Sequence, residues 1–349
     1  MDILKNSKIY IIFSIILVLI STSFLVFGKL NLGIDMTGGI SMEYAYEKDV
    51  NLEEIKTELA NAAIEINAND QIINDTSAYS ITWEKALWIV VGFYNNSNES
   101  MSAEEKIQAD KSLESHKENI RAKSLAILTN QDNTISESKY INIWKSFWDY
   151  IKNTAILTLA IAIVAIAMYV MHAFSWSASG ISIASFAVIT IITLFHDVII
   201  STGLYIVSWI YFPEFQIDTF FVTALLTILW YSINDTIVVF DRIRSNLIQF
   251  AWKKGKEWKE LYEIVNISIN ETVVRSIYTS VTLLFVLVTI FFFGPESISG
   301  FILVMIFGTI IGTYSSIFIA SPLLYLANKN KKLSIYKKVV VNPEDKIVV

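Results

Sequence analysis

The chain has 349 residues, 54% of them hydrophobic, a mean hydropathy of +0.49 and a formal net charge of −6. This acidic balance leaves no electrostatic footprint for nucleic acid, and the absence of cysteine excludes disulfide staples and thiolate sites. There is no GxxxxGK[ST] phosphate loop, and His116, His172 and His196 fall on separate segments without ligand spacing, so neither ATP use nor a metal site is expected.

Apolar runs at 9–27, 154–172, 181–207, 220–240, 272–293 and 298–326 can each cross a hydrocarbon core of about 30 Å at about 1.5 Å per residue. Their length and lack of strict alternation predict six transmembrane helices rather than barrel strands. The first run follows Lys5 and Lys8, as a signal peptide would. Its Phe27-Gly28-Lys29 exit lacks a small-x-small cleavage site, so it reads as a retained anchor.

Lysine and arginine in the short flanks set the expected orientation. Lys5 and Lys8 place the N-terminus in the cytoplasm, and six crossings return the basic tail 328–349, with Lys329, Lys331, Lys332, Lys337 and Lys338, to the same side. The connection 241–271 carries Arg242, Arg244, Lys253, Lys254, Lys256 and Lys259 and reads as cytoplasmic. The turns 209–216 and 294–297 hold no Lys or Arg and fall outside, while 172–180 is silent.

Residues 28–150 are different material, with 20 Asp/Glu against 11 Lys/Arg and polar clusters such as Asn95-Asn96-Ser97-Asn98. By topology this segment is extracytoplasmic, and it is long enough to bury one small core. Its pattern predicts a strand at 40–46, a helix at 52–66, strands at 78–83 and 86–94, a helix at 103–129 and a strand at 139–143. That βαββαβ order is the ferredoxin-like plan, inserted between helices 1 and 2. The organisation expected is therefore 1–27, 28–150, 151–327 and 328–349.

Ionisable residues inside apolar runs are rare and by default functional. Asp235 lies about 15 residues into the fourth run, near its inner edge, and Arg275 opens the fifth at a similar depth. Such a pair forms an ion pair whose strength depends on carboxylate protonation; two interfacial side chains snorkelling to water are the other reading. Asp197 sits deeper, about 16 residues into the third run, and must be neutral, paired or facing a hydrated cavity. His196 beside it is either part of a proton route or a simple partner inside the bundle. Gly308 and Gly312 have small-xxx-small spacing, for which close helix packing is a sufficient account.

Four segments carry a resemblance. Gly33-Ile34-Asp35-Met36-Thr37-Gly38-Gly39 resembles the GIDFTGG signature of the SecF family, accessory membrane subunits of the bacterial Sec protein translocase. His196-Asp197-Val198-Ile199-Ile200, YSINDTIVVFDRIR over 231–244 and GTYSSIFIASP over 312–322 match that family in order and at the expected topological positions. The resemblance implies half of a pseudo-symmetric transporter of the resistance-nodulation-division type. It also implies pairing with SecD, association with the SecYEG channel, YajC or YidC as further candidate partners, and a translocating preprotein as client. The proton motive force would drive late translocation, with Asp235, Arg275, Asp197, His196 and Asn234 as proton-coupling candidates and Gly33, Asp35, Gly38 and Gly39 as the structural motif. No covalent chemistry or cofactor is implied. Taken alone, Gly38 and Gly39 also suit a plain turn at a membrane exit.

Two other classes stand beside this reading. A proton-coupled exporter of lipids or small molecules from the same superfamily would share the carboxylates, but usually has two six-span halves. An intramembrane aspartyl protease needs a GxGD element, which is missing around Asp197 and Asp235.

Tryptophan also stands where the family pattern has glycine, at Trp230 of the fourth run and at Trp144 and Trp148 in 143–148, and glycine is only 12 of 349 residues. A large side chain at a close crossing overpacks it. Trp144, Trp148 and Trp230 thus read as candidates for glycine codons translated under a different code, with UGA the obvious codon; Trp252 and Trp258 are weaker ones. Tryptophan substitution at membrane interfaces is the alternative.

Overall fold

The computed structural model describes residues 2–28, 30–47, 50–70, 73–81, 85–93, 102–131, 134–143, 145–174, 181–212, 215–251, 259–295 and 298–329. In chain order these form α1 (Ser7–Phe27), α2 (Ile34–Thr37), β1 (Gly39–Ala45), α3 (Leu52–Asp70), β2 (Ile73–Ile81), β3 (Ala86–Phe93), α4 (Ala103–Gln131), β4 (Ser136–Ile143), α5 (Lys145–Ala173), α6 (Ile183–Ser208), α7 (Thr219–Ala251), α8 (Leu261–Phe293), α9 (Ser299–Ser315) and α10 (Ser321–Asn328). Two compact units result, one of residues 1–28, 159–208 and 223–349, the other of residues 29–158 and 209–222.

In the helical unit, among the described residues, five helices are long and apolar enough to cross a membrane: Leu4–Phe27, Ile183–Ser208, Thr219–Phe250, Leu261–Phe293 and Ser299–Asn328. The apolar part of α5, Leu157–Ala173, is shorter. Apolar side chains on α1, α7 and α8 such as Ile9, Phe13, Phe285 and Phe292 remain exposed, as a hydrocarbon solvent permits. The interior is built around Phe174, Phe186 and Phe240, whose rings lie 4.7 to 6.4 Å apart. Small residues bring backbones together. A Cβ on Gly308 would stand 2.2 Å from Ile228, and one on Gly312 would stand 3.2 Å from Ser232, so α9 lies directly against α7 there.

One expectation is corrected. The segment read as a 241–271 connection is helical as far as Ala251 and again from Leu261. The apolar stripe simply continues at helical spacing through Phe240, Ile243 and Leu247, and through Leu261, Ile264, Val265 and Ile269, all buried. Charged neighbours use the other faces, with Arg242 bonded to Glu271 at 2.6 Å and Arg244 to Asp241 at 2.8 Å. Hydropathy fades there, but the helix does not. The run expected at 298–326 is one apolar span, Ser299–Asn328, within which five residues, Ser316–Ala320, form a wide π turn between α9 and α10. Pro322, in the first turn of α10, has no N–H and crowds the preceding turn, and Ser321 donates its hydroxyl to the Ser316 carbonyl at 3.1 Å.

The other unit contains a four-stranded sheet in the order β2-β3-β1-β4, with every adjacent pair antiparallel. Alternate residues of β1 (Ile40, Met42, Tyr44) and β3 (Leu87, Ile89, Val91, Phe93) are buried on one face. Ile55, Leu59, Ala62, Ala63 and Ile66 of α3, at helical spacing, join Ile120 and Leu128 of α4 in the same core. Fully burying each large apolar side chain contributes about 1.5–3 kcal/mol.

Candidate functional site

Within the helical unit, Asp197 on α6 is fully buried and Asp235 on α7 is 9% exposed. Among the described residues, neither pairs with a lysine or arginine. Asp197 Oδ1 lies 2.8 Å from His196 Nδ1, while its Oδ2 accepts from Ser232 Oγ of α7 at 2.5 Å and from Ser315 Oγ of α9 at 2.7 Å. Asp235 Oδ1 accepts from Ser276 Oγ of α8 at 2.6 Å, and its Oδ2 accepts from Ser316 Oγ. Two carboxylates on two helices are thus bonded to consecutive serines of a third strip of chain.

The polar line continues one turn further. Tyr231 Oη and Ser280 Oγ are 2.7 Å apart, and Ser280 Oγ and Thr313 Oγ1 are 2.5 Å apart. Tyr231 precedes Asp235 by four residues, Ser280 follows Ser276 by four and Thr313 precedes Ser316 by three, so the second layer stacks on the first along the same three helices. Around the carboxylates, His196 Nε2, Ser201 Oγ and Thr236 Oγ1 are buried and have no partner among the described residues. Buried polar atoms of this kind cost about 1–3 kcal/mol each unless water reaches them, which marks the interior as polar enough to hydrate.

The expected ion pair between Asp235 and Arg275 is not formed. Arg275 is exposed and Ser276 faces Asp235 instead; successive helical residues point about 100° apart, so only one of the two can face inward. Arg275 reaches Asp235 through longer-range electrostatics alone. Asn234 is also exposed, turned away from the carboxylates by the same rotation. Trp230 is 66% exposed, whereas Ile228 and Ser232 on either side face α9. The crowding argument for a misread glycine therefore does not operate at Trp230 within this chain. Trp144, Trp252 and Trp258 lie outside the described residues, as does the side chain of Trp148.

In the other unit the glycine motif is part of a compact junction. Gly33 donates its N–H to the Ile217 carbonyl at 2.9 Å and Ile217 returns one to Asn31 at 2.7 Å, a parallel bridge at Leu32 and Ile217. Asp35 Oδ2 accepts from the backbone N–H of Thr219, the first residue of α7, at 3.4 Å, and Asp218 caps the same helix end through Phe221 N–H at 2.7 Å. Burial, with Asp35 nearby adding a smaller push, raises the Asp218 carboxyl to about 6. Gly38 has φ 77°, a left-handed conformation that glycine enters freely. At Gly39 a Cβ would stand 2.3 Å from the Val91 carbonyl oxygen, so β3 can approach only a glycine there.

Sequence reasoning singled out the carboxylates but missed the serines that hold them. Ser232, Ser315 and Ser316 were visible inside the quoted segments, and Ser276 sits beside Arg275; hydroxyls facing inward on apolar helices were the available signal.

A small antiparallel sheet domain followed by apolar helices with buried, hydroxyl-ligated carboxylates defines a multi-pass membrane protein of the transporter class. The family model for the protein export membrane protein SecD/SecF, C-terminal, matches residues 123–330, and the chain belongs to the SecD/SecF family. It is 30% identical over 337 residues to a protein translocase subunit SecF of Thermobaculum terrenum, covering 97% of each chain. It is 34% identical over 303 residues to the SecF subunit of Thermodesulfovibrio yellowstonii, covering 87% of this chain and 85% of that one. The crystal structure of SecDF, a translocon-associated membrane protein from Thermus thermophilus, has a TM-score of 0.67 at 23% identity over 95% of this chain. This chain spans about two fifths of that longer one, 39% of its length.

Proposed function

We propose that the chain is an accessory subunit of the Sec preprotein translocase, pairing with a SecD-type subunit at the SecYEG channel and using the proton motive force to promote late translocation of secreted proteins. The observation that carries this reading is the pair of buried carboxylates, Asp197 and Asp235, each held by two serine hydroxyls and, among the described residues, paired with no lysine or arginine. A cation would pin a carboxylate in its ionised form. Hydroxyls both donate and accept, and so serve either protonation state. The names of the SecF relatives support the translocase setting.

In the same reading α5 completes six spans, both termini lie in the cytoplasm and 28–150 forms an extracytoplasmic ferredoxin-like domain, for which the β2-β3-β1-β4 order is the supporting observation. Asp235 and Asp197 carry the proton, His196 orients Asp197, and exposed Arg275 and Asn234 face the SecD-type partner. No bond-making chemistry is assigned to this subunit.

The test is preprotein export into inverted membrane vesicles under an imposed proton gradient. Asp235→Asn keeps size and hydrogen bonding but removes the titratable proton, so the gradient-dependent increment of export should vanish while ATP-driven export stays. A wild-type increment would sink the proton-carrying reading.

A further inference from the structure

The two consecutive serines on the carboxylates differ from the other two in one respect. A hydroxyl has a single hydrogen, and Ser315 Oγ has two acceptors within reach, Asp197 Oδ2 at 2.7 Å and the Gly312 carbonyl at 3.1 Å. Ser316 Oγ likewise faces Asp235 Oδ2 and the Thr313 carbonyl at 3.1 Å. Ser232 and Ser276, by contrast, have hydroxyl bonds only to the carboxylates among the described residues. Each carboxylate therefore has one committed serine and one serine with an alternative.

We propose that Ser315 and Ser316 are two-way hydroxyl relays, positioning residues that hold Asp197 and Asp235 in either protonation state by turning one hydrogen between the carboxylate and the carbonyl three residues back. With the acid ionised, the serine donates to it. When the acid takes up a proton, the carboxyl O–H donates to the serine oxygen and the serine hydrogen turns to Gly312 or Thr313. No buried hydrogen or lone pair is stranded in either state, and the change is a rotation about one Cβ–Oγ bond. The proposal deepens the proton-carrying reading of these carboxylates and rests on it.

Position makes the device specific. Consecutive helical residues normally face different neighbours, here α6 for Ser315 and α7 for Ser316, so a single turn of chain serves both acids. That turn opens into the π segment Ser316–Ala320, and the Ser316 carbonyl is taken by the Ser321 hydroxyl rather than left unpaired. The other titratable and charged groups acting on the acids, among the described residues, are His196 on Asp197 and Arg275 on Asp235; neither touches the two serines.

The experiment is an infrared titration of the purified full chain in lipid, following the carboxylic C=O bands, each assigned by its loss in Asp197→Asn or Asp235→Asn. Ser316→Ala should displace the Asp235 band and its titration midpoint, by about one pH unit for a lost charge-assisted bond, and leave Asp197 in place; Ser315→Ala should do the converse. Ser316→Thr and Ser315→Thr, which keep the hydroxyl, should restore wild-type titration and answer the objection that the alanine variants misfold. Unmoved bands in the alanine variants, or threonine variants that behave like alanine, overturn the relay. The readout needs no export, so it is separable from the translocation test: a wild-type gradient-dependent increment of export in Asp235→Asn sinks the function, and unmoved bands sink the relay.

Discussion

Ser276, not its neighbour Arg275, faces Asp235: the serine hydroxyl donates to the carboxylate at 2.6 Å while the guanidinium is exposed. The charge that a linear reading pairs with Asp235 is thus on the outer face of α8, and the neutral residue beside it does the holding.

Stability should follow that division. Ser276→Ala removes a donor to a buried carboxylate and is expected to lower stability by about 1–3 kcal/mol, read as a drop in the midpoint of thermal unfolding in detergent. Arg275→Met should leave the midpoint of the isolated chain within the range of an ordinary surface change, about 0.5 kcal/mol. A larger loss from Arg275→Met than from Ser276→Ala would mean that the ion pair forms after all.

The α7–α9 crossing gives a second prediction. At Gly308 an added Cβ meets the Ile228 side chain at 2.2 to 2.8 Å, whereas at Gly312 it meets Ser232 at 3.2 Å. Gly308→Val should cost about 1–3 kcal/mol or more through overpacking, and Gly312→Ala clearly less. Protease resistance of the detergent-solubilised chain, compared between the two, checks the order.

Gly38 and Gly39 should fail for different reasons. Gly38→Val forces a β-branched residue to φ 77°, a strain of about 1–3 kcal/mol. Gly39→Val drives a side chain into the Val91 carbonyl and parts β1 from β3. Both should raise proteolysis within 39–143, and a double Val variant with wild-type resistance would reduce the pair to linker residues.

Acid should tighten the junction between Asn31–Asp35 and Phe215–Thr219. With Asp218 at about 6 in the fold against 3.8 unfolded, the native state binds more protons between those values. Stability therefore falls as pH rises from about 4 to about 6 and levels off above. Amide exchange at Gly33 and Ile217, corrected for its intrinsic pH dependence, should show more protection at pH 5 than at pH 7. Asp218→Asn should flatten that difference, and an unchanged pH dependence in this variant would assign it elsewhere.

Much of this was legible in the sequence because its signals are local. Twenty-residue apolar runs, an alternating strand at Ile40, Met42 and Tyr44, and carboxylates at 197 and 235 need only spacing to be seen. The ends of α7 and α8 were not legible, since Ile243, Leu247, Leu261 and Ile264 keep a buried stripe while Arg242, Arg244 and Glu271 lower the average hydropathy. Nor was the choice of Ser276 over Arg275, which turns on about 100° of helix rotation that only packing fixes. The π turn escaped because Pro322 signals a break without saying how the preceding carbonyls will be satisfied.

The crossing of α1 and α6 has a further consequence. A Cβ on Gly203 would stand 2.3 Å from the Ser21 hydroxyl, and Ser7, Ser14 and Ser21 form the buried edge of α1. Synthesis delivers α1 first and its partner much later. Until α6 emerges, the serine edge faces lipid, where each hydroxyl can bond a carbonyl of its own helix. The first helix thus carries hydroxyls that its own carbonyls can satisfy in the bilayer, and the close approach of Gly203 to Ser21 seats it against the Asp197 helix.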